Sequence, residues 1–249
     1  MSSAHHFGFS LLFLLAFCSC KKESRPDCLK SLGKEITEMR QIGAFQTIIV
    51  DDRIRVEVIQ DTFNLVFVTT GENVISGIKT RVQSGVLNIS DEISCDWVRD
   101  QSSIPLVTVH YKNLDHVFDY SAANFIFKND NNSSHLKFEI NDNASSVQIA
   151  YSGDSLDIIS HTGATKVIAV GKANVAYFYS ASYAPIDASA LETKISIAHS
   201  ESSGDIELFA SEAVYYQIFD WGNIIVHGKP LHITKWHDEG KGELILNED

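Results

Sequence analysis

The chain has 249 residues, enough for one or two domains with a sizeable core. Its 32 acidic and 20 basic residues leave a formal charge of −12, which excludes a nucleic-acid module built on a basic stripe. Beyond residue 20 there are 26 Ile and 18 Val but only 13 Leu, which excludes a leucine-rich helical bundle and predicts a mostly β protein.

The chain opens on an apolar run, Phe7 to Phe17. It is too short to span a bilayer as an ordinary helix and has the length of a signal-peptide core. The stretch before it holds His5 and His6 but no Lys or Arg, so a start further upstream stays open. Phe17-Cys18-Ser19-Cys20 follows, then Lys21-Lys22. A small residue before a cysteine just past such a run looks like a lipobox. The expectation is cleavage before Cys20, diacylglycerol on its thiol, and anchoring in the cell envelope, with plain secretion as the alternative. Several acyl chains give a stable anchor where a single chain does not.

Cys18 would leave with residues 1–19 and Cys20 would be lipidated, so Cys28 and Cys95 remain in a compartment where disulfides form. A bridge between them would close a 68-residue loop and add about 4 kcal/mol on the chain-entropy model. Two buried thiols are the alternative. Residues 20–42 read as the lipidated cysteine and a tether. Residues 21–40 carry a net +2, leaving −14 elsewhere.

Residues 43–104 read as a short-stranded β part. Ile54, Val56 and Val58 alternate with charged residues, as in a half-buried strand. Leu65 to Val68 is apolar on both faces, as in a covered strand. Gly71 to Gly77 reads as a turn or a single helical turn, and Ser84-Gly85 as a turn before the strand Val86 to Ile89. No stretch has a convincing amphipathic-helix period.

From residue 105 a repeat sets in. Apolar strand starts recur at Phe125, Val147, Val167, Ile186, Ile206, Ile224 and Leu244, at steps of 22, 20, 19, 20, 18 and 20. A second series runs Leu136, Leu156, Val175, Ile195, Val214 and Ile233, at steps of 20, 19, 20, 19 and 19. Two interleaved series predict one coil per repeat with at least two strands in it. The expected fold is all-β, a parallel β-helix-like solenoid of about 20-residue coils over residues 105–249. An antiparallel sandwich is the competing fold, but it has no reason to hold one period so evenly. The charged stretch Lys235 to Lys241 is expected to blunt the last open edge.

Several features carry a family likeness. They are the lipobox, Asp27-Cys28, Gln60-Asp61-Thr62, Gly71 to Thr80, Gly85 to Ile89 and Cys95-Asp96-Trp97, in that order, then the turns typified by Ser202-Ser-Gly-Asp-Ile206. The whole, over about residues 27–246, resembles the putative auto-transporter adhesin, head GIN domain family of exported lipoproteins. The resemblance implies a β-helix-like fold and a surface or adhesive role.

No catalytic motif emerges. The residues before each strand start are Asn124, Ser146, Lys166, Pro185, Asp205, Asn223 and Glu243, types that shape turns. Asp154, Asp157 and His161 lie close in sequence but at no catalytic spacing. His227, His232 and His237 crowd the C-terminal coil without metal-ligand spacing, and Asn129 to Asn132 and Asn141 to Asn143 lack the later Glu of a calcium loop. No catalytic, metal or cofactor site is therefore assigned. The candidate binding aromatics are Tyr177, Tyr179, Tyr183, Tyr216 and Trp221. Asp154-Ser155-Leu156 is a short pattern that matches an O-glycosylation signal, with Ser155 as acceptor.

The function expected is that of a non-enzymatic, adhesin-like envelope lipoprotein, probing an unknown glycan or protein ligand and contacting a membrane through its anchor. A homo-oligomer is compatible, and no nucleic acid is expected. The alternatives are an envelope scaffold, or a polysaccharide lyase or hydrolase on a β-helix.

Overall fold

The computed structural model describes residues 31–93, 104–141 and 145–247. Cys20, Cys28 and Cys95 lie outside them. Parallel pairing of strands one coil apart builds a two-sided solenoid, and its two walls are called sheets A and B here.

Sheet B opens with β3 (Arg55–Gln60), followed by β9 (Phe125–Phe127). It continues through the first parts of three long strands, β11 (Ser146–Ser160), β12 (Lys166–Ser182) and β13 (Ile186–Ser202). It ends with β14 (Ile206–Phe209), β16 (Ile224–His227) and β18 (Leu244–Leu246). Sheet A opens with β2 (Thr47–Val50), β8 (His116–Asp119) and β10 (His135–Ile140). The second parts of β11, β12 and β13 follow, then β15 (Ala213–Ile218) and β17 (His232–Asp238).

Every strand start in the first predicted series falls in register on its neighbour: Phe125 on Val147, Val147 on Val167, Val167 on Ile186, and so on to Ile224 on Leu244. All but Leu244 are buried. At a strand spacing of ~4.8 Å, seven such positions make a rod about 30 Å long. Parallel pairing throughout this stack excludes the antiparallel sandwich.

The second series is correct in spacing but slips on the face. Leu156 pairs with Ala176, and Val214 with both Ser196 and Ile233. The inward positions of the middle coils are thus Ala176 and Ser196, while Val175 and Ile195 sit one residue earlier, half exposed. At Ser196 a polar corner accounts for the small residue. Thr193 and Ser196 hydroxyls both donate to the Phe209 carbonyl, at 2.5 and 2.9 Å, leaving no room for a large apolar side chain.

The core of sheet A runs down one column, Phe138, Ile158, Phe178, Ala198 and Tyr216. Phe138 meets Phe125 of sheet B edge-to-face at 5.0 Å, which joins the two walls. The column ends in Lys235, whose ammonium lies 5.9 Å from the Tyr216 ring centre. A charge at a core position of the last coil opposes end-to-end pairing of strands. The turns between sheets are held by side chains: Asp205 accepts the Asn223 N–H at 2.7 Å, and Asn223 accepts that of Glu243 at 2.9 Å. The residues before the strand starts therefore shape turns.

An antiparallel cap covers the N-terminal end. β4 (Leu65–Gly71) pairs with β7 (Leu106–Tyr111), and β5 (Ile78–Gln83) with β6 (Val86–Asp91). Ser84 and Gly85, both at positive φ, make the tight turn between β5 and β6. A 3₁₀ turn at Ile75–Gly77 follows β4. The stretch read as tether is partly structured: β1 (Glu35–Gln41) is an antiparallel strand on β4. Its side chains are largely exposed, so the pattern that marks a half-buried strand is missing. Arg40 fastens it, donating to the carbonyls of Ile78 at 2.6 Å and Ile75 at 3.0 Å.

Candidate functional site

Strand parity decides which side chains face solvent. On sheet A, Phe178 points inward, so Tyr177 and Tyr179 point outward, and the same parity operates in every coil. The outer face carries two adjoining columns. One holds Phe118, Glu139, Ile159, Tyr179, His199, Gln217 and His237, each in register with the next. The other holds His116, Lys137, Asp157, Tyr177, Ile197 and Tyr215, again in register.

Rings make a continuous ladder on this face. His161 lies 5.9 Å from Tyr179, Tyr179 packs edge-to-face on His199 at 5.0 Å, and His199 lies 5.2 Å from Phe219. Phe219 stacks on His237 at 5.1 Å, and beside the ladder Tyr215 stacks on Trp236 at 5.4 Å. Carboxylates fix the orientation of the imidazoles. Glu139 holds His116 at 2.8 Å and His161 at 3.0 Å, Asp157 holds His135 at 3.1 Å, and Glu201 holds His199 at 2.9 Å. The Tyr179 hydroxyl donates to Glu201 at 3.1 Å, and Gln217 bonds the remaining nitrogen of His199 at 2.8 Å. Partial burial, then Glu201, pushes the Tyr179 hydroxyl up, and burial with Asp157 and Glu201 does the same for Tyr177. Both phenols therefore stay neutral donors next to fixed negative charge.

Glu139 is the most constrained carboxylate of the face. Its partial burial would push the carboxyl up, but Lys137 at 2.6 Å, His161 and His116 together outweigh that and hold it at about 2. A depressed folded-state value makes this stabilisation complete above the ordinary glutamate range and lost as pH falls toward 2. Discounted for solvent screening of these partly exposed partners, the stability gap between wild type and Glu139→Gln is expected to be about 1 kcal/mol at neutral pH and to close near pH 2. Urea denaturation across that range measures it.

The candidate aromatics fall in different places. Tyr177 and Tyr179 stand on the outer face together. Tyr183 and Trp221, 69% and 62% exposed, sit at the turns leaving sheet A, where Trp221 carries the Lys241 ammonium 4.2 Å from its ring centre. Tyr216 is only 8% exposed and belongs to the core column, so it is no surface ring. The neighbouring residue Tyr215 is the outward one, and the buried anchor Val214 two residues before Tyr216 carries the parity signal for it. His199, Glu201, Phe219 and Trp236 also belong to the face and were not singled out by sequence, and His161 was weighed there only beside Asp154 and Asp157. Their signal is positional: they are outward residues of consecutive coils and adjoin only after coiling.

Asp154, Asp157 and His161 do not converge. Asp157 pairs with His135, His161 with Glu139, and Asp154 accepts from Asn174 at 3.0 Å. Asp154 lines a groove of about 610 Å³ at the corner where the chain passes from sheet B to sheet A. Lys172, Glu192 and Lys194 share that groove, and Lys172 and Glu192 neutralise each other at 2.9 Å. Ser155 stands at its margin, half-buried, with its N–H donating to the Ser134 carbonyl at 3.0 Å. His227 lies on sheet B against Glu207 at 3.2 Å, away from His232 and His237 on sheet A. No group of three or more His, Cys, Asp or Glu among the described residues could hold a metal ion. No helix among them is long and apolar enough to cross a membrane.

Residues 44–230 match the family described as putative auto-transporter adhesin, head GIN domain. The chain belongs to this family. A "putative adhesin" from Bacteroides fragilis has the same fold, with a TM-score of 0.78 at 19% identity over 86% of this chain and 97% of that one. A "putative lipid binding protein" from Parabacteroides distasonis gives 0.62 at 18% identity, covering 87% and 98%. A "putative adhesin" from Parabacteroides merdae gives 0.61 at 19% identity, covering 87% and 97%. No curated protein matches the chain. At these identities the likeness shows the fold, a head GIN β-solenoid. The family is adhesin-like by description, which points to a surface or exported protein that binds a ligand.

Proposed function

We propose that this head GIN protein is an exported lipoprotein, anchored at Cys20 in the outer membrane, that binds a ligand on the outer face of sheet A and catalyses no reaction. The observation that carries this reading is the ring ladder from His161 to His237. It is continuous over several coils, and carboxylates orient its imidazoles and its phenol before any ligand arrives. A surface ordered in advance loses little freedom on binding. The carboxylates of the face serve imidazoles, a phenol and an ammonium instead of converging on one point, which suits recognition better than acid–base chemistry.

The anchor reading rests on Cys18-Ser19-Cys20 after the apolar run, and Cys28 with Cys95 are proposed as a disulfide on the same logic of an export compartment. Radiolabelled palmitate should enter the wild type and be lost from Cys20→Ala; label that persists removes the lipid anchor from the account.

A glycan and matrix-protein array tests the binding function. Wild type should give discrete hits that Tyr177→Ala with Tyr179→Ala weakens by about tenfold, the loss expected for two stacking rings. A silent array together with turnover of a polysaccharide would replace the binder with an enzyme.

A further inference from the structure

Among the described residues, four carboxylates stand on the strands and strand ends of the sheet A face, Glu139, Asp157, Glu201 and Glu239, against the ammonium of Lys137, while Lys235 of β17 lies over Tyr216 at the end of the core column. Their other partners are imidazoles, which are neutral at the upper end of the range in which histidine changes charge. In that state the face is anionic, and its centre consists of two phenol rings, Tyr177 and Tyr179, with Asp157 in register beside Tyr177 and Glu201 bonded to Tyr179. Rings flanked by carboxylates attract ammonium and guanidinium groups through both the ring quadrupole and the charge. The chain already seats ammonium groups on rings with its own side chains, Lys241 on Trp221 and Lys235 on Tyr216.

We infer that the ligand of this face is cationic, a lysine- or arginine-rich segment of a partner protein, and that acidification releases it. This rests on the proposed binding face and adds the class of ligand. Strand spacing sets the geometry. Asp157 on β11 and Glu201 on β13 stand two coils, about 10 Å, apart along the solenoid axis, a step that an extended lysine-rich segment spans in about three residues. Asp157 and Glu201 are 29% and 46% exposed, so both carboxylates reach solvent.

Release follows from the same residues. The imidazoles on the face are His116, facing Lys137 and Glu139; His135, facing Asp157; and His161, facing Glu139 and Tyr179. His199 faces Glu201, Tyr179 and Gln217, His237 faces Glu239, and His232 lies at the start of β17. When they gain protons, positive charge exceeds the four carboxylates and the face turns from anionic to cationic. Arg81 and Lys79 lie on β5 beyond β2 and β6, where Arg81 pairs with Glu92.

A fluorescent decalysine peptide and its fully acetylated counterpart test this by anisotropy, at fixed salt and at pH about 7.5 and about 5. Decalysine should bind at the higher pH, the acetylated peptide should not, and binding should fall at least about tenfold at the lower pH. Asp157→Asn with Glu201→Gln should weaken binding about tenfold, whereas removing two exposed charges elsewhere, Glu35→Gln with Asp130→Asn, should change it less than about twofold. His161→Gln with His199→Gln should retain more of the binding at the lower pH than wild type does. Equal losses in the two charge variants would mean general attraction to an acidic protein and overturn the inference, as would binding that strengthens or holds on acidification. An array hit that needs Tyr177 and Tyr179 while decalysine ignores the face would overturn the cationic ligand and leave the binding face standing. Array hits indifferent to both tyrosines would remove the face itself.

Discussion

Phe178→Ala is expected to lower the stability of the solenoid by about 3–5 kcal/mol, the largest single effect of any surface-silent substitution considered. The ring is fully buried at the middle of the sheet A core column, between Ile158 on one coil and Ala198 on the next. Because Ala198 is already small, only Ile158 among the two neighbours in the column offers bulk toward the space left by the ring. Each coil buries its inward face only against its neighbours, so a void in the middle weakens both halves of the stack. Urea unfolding should show a lower midpoint, and Phe178→Leu should recover a substantial part of the loss. A midpoint unchanged from wild type would mean that this column is not the core.

Gly171→Ala is expected to cost at least about 2 kcal/mol. Gly171 lies in β12 where the strand bends from sheet B to sheet A, at φ +115, a conformation that residues with a Cβ rarely adopt. A methyl group there would sit 2.0 Å from the Tyr151 carbonyl oxygen of the preceding coil, so the β11–β12 pairing would have to open. The loss should appear in the same unfolding assay, and amide exchange should rise at residues 150–153 and 170–174. The position next in the stack is Leu191, reached across a register shift between Ile168 and Val170. An alanine variant as stable as wild type would contradict the assigned corner geometry.

The coil period was legible because one inward position per coil, from Phe125 to Leu244, is always a large apolar residue. The second column was harder to read because its inward positions pass through Ala176 and Ser196, and nearby Val175 and Ile195 are more apolar although they face outward. Hydrophobicity alone therefore selects the wrong neighbour by one residue, and in a strand one residue reverses the face. The same rule accounts for Tyr216: its distance from Val214 marks it as inward, a parity that composition does not express. β1 was hidden for a different reason. Its pairing is with the backbone of β4, and its exposed side chains leave no periodic trace. The binding face was the least legible feature, since His161, Tyr179, His199, Phe219 and His237 are separated by about twenty residues each and adjoin only through the coil. What sequence could show of it was the outward pair Tyr177 and Tyr179 around a buried Phe178.

The proposed function requires ligand to contact the outer face of sheet A. The most direct measurement compares two double variants against the strongest array ligand by surface plasmon resonance: Tyr177→Ala with Tyr179→Ala on sheet A, and Ile126→Ala with Ile168→Ala on the outer side of sheet B. The predicted result is a loss of about tenfold or more for the first pair and no change for the second. Equal losses, or a loss confined to the sheet B pair, would contradict it.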